Sequence, residues 1–177
     1  MAIAETALEL RVRRAYELGR LLLGLRRAAV VAPMAALSLI ACERPGATWI
    51  AASLLAAAVV LLEWRGLALA RGARVGLLAG IPPLLLPLVV RATLHVCNAT
   101  FCLPYSTVCL AAGIVGGGFM GLSSVRRGVH GQGVAAAGIV ASLAGSLGCL
   151  VAGVGGIVGL VAGLGLGAVP LMALRRE

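Results

Sequence analysis

The chain has 177 residues, of which 61% are hydrophobic and 12% charged, with a mean hydropathy of +1.07 and a formal net charge of +9. An average soluble domain carries roughly a quarter of its residues as charges, so an ordinary water-soluble globule is excluded and the long uncharged runs place the chain among membrane proteins. The positive charge does not point to nucleic acid, because aromatic residues make up only 3% and base-stacking platforms need them.

All fifteen basic residues are Arg and all six acids are Glu. With the abundance of Ala, Gly and Leu, this usage points to a GC-rich bacterial source. Residues 5–27 are too charged for the apolar core of a cleavable signal peptide, and none is expected.

In chain order, residues 5–27 predict an amphipathic helix. Leu8, Val12, Ala15, Leu18, Leu22 and Leu25 recur at spacings of three and four and form one apolar stripe. Arg13 lies four residues from both Glu9 and Glu17, within pairing reach across a turn. A basic amphipathic helix lies on anionic lipid or docks a cytoplasmic partner. For the second role the candidate contact residues are Leu8, Val12, Arg13, Tyr16 and Arg20.

The remainder predicts an all-α, polytopic bundle of six spans, near residues 28–42, 47–63, 75–96, 104–125, 132–150 and 154–174. The first is short for the ~20 residues that a span needs and draws on the preceding leucines. Trp49 and Trp64 flank the second, as interfacial anchors do. Arg65, Arg71 and Arg74 are read as a basic loop after it. Pro82, Pro83 and Pro87 fall inside the third, where neighbouring helices must satisfy the carbonyls they free. Gly131–Met172 carries no charge. As one helix it would reach ~60 Å, so a turn is expected near 148–156.

With both termini in the cytoplasm, the inner segments hold Arg11, Arg13, Arg14, Arg20, Arg26 and Arg27, then Arg65, Arg71 and Arg74, then Arg126 and Arg127, then Arg175 and Arg176. Only Arg44 and Arg91 fall outside. Every loop obeys the positive-inside rule, and the expected location is the bacterial inner membrane.

That topology puts all five cysteines in the outer half: Cys42, Cys97, Cys102, Cys109 and Cys149. Their surroundings, with His95, support three readings. One is a structural disulfide, most simply Cys97–Cys102, in an oxidising compartment. Another is a sensing site for a soft metal or an oxidant. The third is a set of small buried apolar residues. The Cys-x4-Cys spacing is not a zinc signature. Asn98-Ala99-Thr100 matches a glycosylation sequon, which carries little weight in a bacterial chain.

Glycines recur every four residues on the fourth span (Gly113, Gly117, Gly121) and on the sixth (Gly155, Gly159, Gly163, Gly167). Such rows let helix backbones approach closely, within one chain or between copies in a homo-oligomer. No ionisable residue falls in mid-membrane, where pumps place them, and Glu63 sits at a span end. No catalytic set, phosphate loop or haem-ligand pair is present, so neither enzymatic activity nor a cofactor is expected.

Cys102-Leu103-Pro104 opening the fourth span, Arg126-Arg127-Gly128 closing it, an Ala/Gly-rich fifth span and Cys149 at its outer end together resemble the NrsF-type bacterial anti-sigma factors. The likeness covers residues 95–176. The last outer turn lacks the acidic and aromatic residues expected after the cysteine. The resemblance implies that Cys97, Cys102 and Cys149 sense, and that residues 5–27 hold a sigma factor. The other class in contention is a small transporter or an accessory subunit of a membrane complex.

Overall fold

The protein was examined as a computed structural model, which describes residues 2–41, 45–93, 105–129, 131–149 and 154–173. It is all-helical among these residues, in the order α1 (Ala2–Ala28), α2 (Val31–Ala41), α3 (Pro45–Arg65), α4 (Leu67–Ala79), α5 (Ile81–Thr93), α6 (Tyr105–Arg126), α7 (Gln132–Cys149) and α8 (Val154–Ala173). Two of the breaks are only steps within a rod. Ala29-Val30 interrupts α1 and α2, and Gly80 interrupts α4 and α5. The second step follows from Pro82 and Pro83, whose missing N–H groups leave the carbonyls of Leu78 and Ala79 without their intrahelical donors.

Five stretches are long and apolar enough to cross a membrane: Arg11–Ile40, Pro45–Arg65, Leu67–Val90, Thr107–Arg126 and Gln132–Cys149; Gly155–Val169 is apolar but shorter. The third rod differs from the expected 75–96. It begins at Leu67, so Arg71 and Arg74 stand on α4 and not in a loop. The link from α3 to α4 shrinks to Gly66, whose φ of 157° and ψ of 163° suit a residue without a Cβ.

The α6–α7 connection closes equally tightly. Gly128 (φ 61°) follows the last turn of α6. Its N–H reaches the Val125 carbonyl, and the Val129 N–H reaches Ser124 at 2.9 Å. This is the Schellman pattern, and it tucks the Val129 side chain into the core.

The centre of the bundle is α7. Ten of its 18 residues are buried, and they fall on two faces. Val140, Ala144 and Leu147 join α2, α3 and α5 through Met34, Leu55, Val59 and Leu84. Ala137, Ala141 and Cys149 join α4, α6 and α8 through Val75, Cys109, Leu160 and Leu164. Because those α7 side chains are mostly Ala and Gly, other helices approach its backbone. A Cβ added to Gly72 would collide with the Gly133 carbonyl, and one on Gly76 with that of Ala137. Gly148 reaches the far end, where a Cβ would come within 2.6 Å of the Leu84 carbonyl. Positions rise together along α4–α5 and α7, so the two rods run parallel.

The same holds for α6 and α8. A Cβ on Gly117 would strike the Leu164 carbonyl, one on Gly163 that of Leu110, and one on Gly167 that of Ile114. Gly113 lies beside Leu160 and Gly163 in the same seam. Gly121 is buried and Gly159 half-buried. The row does not extend to Gly155, which is exposed with nothing within 4 Å of its added Cβ. The first turn of α8 therefore lies outside the seam.

Gly117→Leu and Gly163→Leu should each destabilise the bundle by about 1–3 kcal/mol or more, since backbone carbonyls cannot move aside as side chains can. Gly165→Leu, facing open space, should leave thermal unfolding in detergent unchanged. Equal melting of all three variants would refute the α6–α8 seam.

Candidate functional site

The helix pairings sort the chemistry to two ends. The short α3–α4 and α6–α7 links lie at one end, because Ala68 and Gly133 are neighbours there. With them go Arg65, Arg71, Arg74, Arg126 and Arg127. Gly24 of α1 rests on Val60 and Glu63 of α3, each at 3.5 Å from its added Cβ, and brings Arg26 and Arg27 to the same end.

Within that end lies a buried ion triad. The Glu63 side chain is 3% exposed; its Oε2 pairs with Arg27 Nη1 and its Oε1 with Arg74 Nε at 3.4 Å. A buried carboxylate needs cations and hydrogen bonds to offset its lost hydration. Here two come from different rods, so one side chain ties α1, α3 and α4 together. Glu63 is the residue that sequence reasoning undervalued. Its spacing from Arg74, eleven residues across a Gly turn, becomes informative only once the one-residue link is known.

Beyond Gly24, α1 leaves the bundle. The residues from Arg11 to Gly19 are all exposed, and Val12 and Tyr16 are each 64% exposed. The candidate contact residues form an ordered patch. Arg20 stacks its guanidinium over the Tyr16 ring at 5.5 Å, and Arg13 pairs with Glu17 at 3.2 Å. Val12, Arg13, Tyr16 and Glu9 line a shallow apolar depression of about 400 Å³. Leu8 lies on the same helix, but its side chain is outside the described residues. Nearer the bundle, Leu18 and Leu21 border a second depression with Trp64.

At the opposite end the structure brings together Cys109 and Cys149, both fully buried and unbridged. They meet beside α5. The Cys149 Sγ donates to the Pro83 carbonyl at 4.0 Å, which Pro87, lacking an N–H, leaves without its intrahelical donor. Similarly, Gly116 of α6 points toward the Ala79 carbonyl, 2.6 Å from its added Cβ, the one freed by Pro83. The other sequence-derived candidates, Cys42, His95, Cys97 and Cys102, lie outside the described residues. No group of three metal-ligating side chains occurs among the described residues.

No protein-family model, curated protein or solved structure matches the chain.

Glu63→Gln should cost about 1–3 kcal/mol. The full effect of breaking a buried pair is larger, but Arg27 and Arg74 are 30% and 44% exposed and regain water. Limited trypsinolysis should show faster cleavage at Arg26 and Arg27 in the variant. Unchanged cleavage and melting would show that the triad does not anchor α1.

Proposed function

We propose that this protein is a multi-pass regulator of the bacterial inner membrane. In this reading α1 docks a cytoplasmic protein, a sigma factor if the NrsF-type resemblance holds, and the cysteine-bearing end faces the periplasm and senses. The observation that carries it is the state of α1: its base is fixed to the bundle through Gly24 and Arg27, while a basic and apolar face beyond it has no intramolecular partner among the described residues. A helix serving only as a membrane-surface anchor would not need a buried ion pair to couple it to α3 and α4.

Orientation is supported by charge. Arg26, Arg27, Arg65, Arg71, Arg74, Arg126 and Arg127 share one end, which the positive-inside rule assigns to the cytoplasm. The Cys109–Cys149 end then faces outward. Reporter insertions at Gly66 and Gly128 should give cytoplasmic signals, and one at Gly46 a periplasmic signal. A periplasmic reading at Gly128 would reverse the assignment.

For the docking role, the full-length protein and the sigma factors of its own organism should be co-expressed and purified through the membrane protein. Capture of one sigma factor is expected. Val12→Glu with Tyr16→Glu should reduce it at least tenfold with unchanged membrane yield, because two charges would enter the apolar depression. Capture that survives the double substitution, or no capture of any sigma factor, would remove this role. Co-purification with a larger membrane complex instead would favour an accessory subunit.

A further inference from the structure

Cys109 and Cys149 come from different helices, and the arrangement around them is more specific than the packing of two small residues. Cys109 stands two turns from Gly116 on α6, and Cys149 one turn from Gly145 on α7. Both glycines press on one proline ring: Pro83 Cδ lies 3.3 Å from the added Cβ of Gly116, and Pro83 Cγ lies 3.0 Å from that of Gly145. The two helices therefore converge on Pro83 and carry their thiols into one core cluster, where the side chains are in direct hydrogen-bonding contact. Thiols on separate, packed helices in mutual contact meet the proximity that a disulfide requires. The pair is flanked by apolar side chains and one carbonyl, so neither thiol has a competing charged partner among the described residues.

We propose that Cys109 and Cys149 form a reversible dithiol–disulfide site, whose oxidant is a small-molecule or protein disulfide of the compartment that this end faces. Only the identity of that compartment rests on the orientation given above. Cys149, the last residue of α7, exchanges first. Its thiolate attacks one sulfur of the external disulfide, and one external thiol leaves with a proton. The Cys109 thiolate then attacks the Cys149 sulfur of the mixed disulfide. The second external thiol leaves with the other proton. One S–S bond forms, one breaks, and two electrons pass to the oxidant. Oxidation removes the S–H that serves the Pro83 carbonyl, so the redox state of the pair bears directly on the proline-bent segment of α5.

The test uses the full chain with Cys42, Cys97 and Cys102 replaced by Ser, purified in detergent and held in excess oxidised glutathione. After denaturation in a maleimide-coupled polymer, no label is expected before reduction and two labels after it. Cys109→Ala and Cys149→Ala in this background should each take one label without reduction once glutathione adducts are excluded by mass. Two labels on the oxidised parent without reduction would overturn the site. In the unsubstituted chain, chymotryptic cleavage after Tyr105 separates Cys102 from Cys109. Mass spectrometry should then find Cys109 linked to Cys149, and linkage of Cys149 to Cys97 or Cys102 alone would also overturn it. If the purified protein forms the bond but cells trapped with acid hold both thiols free, the site stands and the outward orientation falls.

Discussion

Everything in this bundle depends on the slenderness of α7. In a bilayer, lipid is as apolar as Leu, so helices gain little from hydrophobic burial against one another and associate through close van der Waals contact and backbone approach. A central helix built of Ala, Gly and Ser presents almost no side chain to separate its neighbours. That is why α4 reaches the Gly133 and Ala137 carbonyls and why two distinct core clusters share one helix. Small residues also serve the prolines. The carbonyls freed in α4 and α5 are approached by Gly116 and by a thiol, both of which need backbones nearly in contact.

A second constraint acts at the arginine-rich end. Glu63 is an acid at the end of a span, and burial among apolar atoms would be costly for it alone. Two arginines make it tolerable and also give it reach across three rods. The outcome is a division of labour along α1: its last turn is part of the bundle, and its earlier turns stand free. Movement of the free part must act through Arg27 and Glu63 to be felt by α3 and α4.

Much of the architecture was legible in composition and periodicity. Hydropathy identified an all-helical chain, and the need to fold back the uncharged run after Gly131 placed a break where α7 ends at Cys149 and α8 begins at Val154. The glycine spacing pointed to α6 and α8, although Gly155 shows that equal spacing does not guarantee contact. The same spacing at Gly72, Gly76 and Gly80 was present and overlooked, because Arg71 and Arg74 made that stretch look like a loop. Helices tolerate arginines in their first turns at an interface, and a one-glycine link left no room for a loop. The Cys109–Cys149 contact could not be read from sequence at all. It depends on which faces of α6 and α7 converge on Pro83, and that is a property of packing, not of spacing.

The parallel pairings carry a consequence for how the molecule is made. Helices joined by the short links, α3 with α4 and α6 with α7, can associate as soon as both are synthesised. The backbone seams cannot. The glycine face of α4 must wait for α7, and that of α6 must wait for α8. During that interval each glycine face is open to lipid or to another nascent chain, the kind of exposure through which larger proteins misassemble. Translation order, and any factor that shelters α6 until α8 emerges, therefore bears on the yield of folded protein as directly as the strength of the final contacts does.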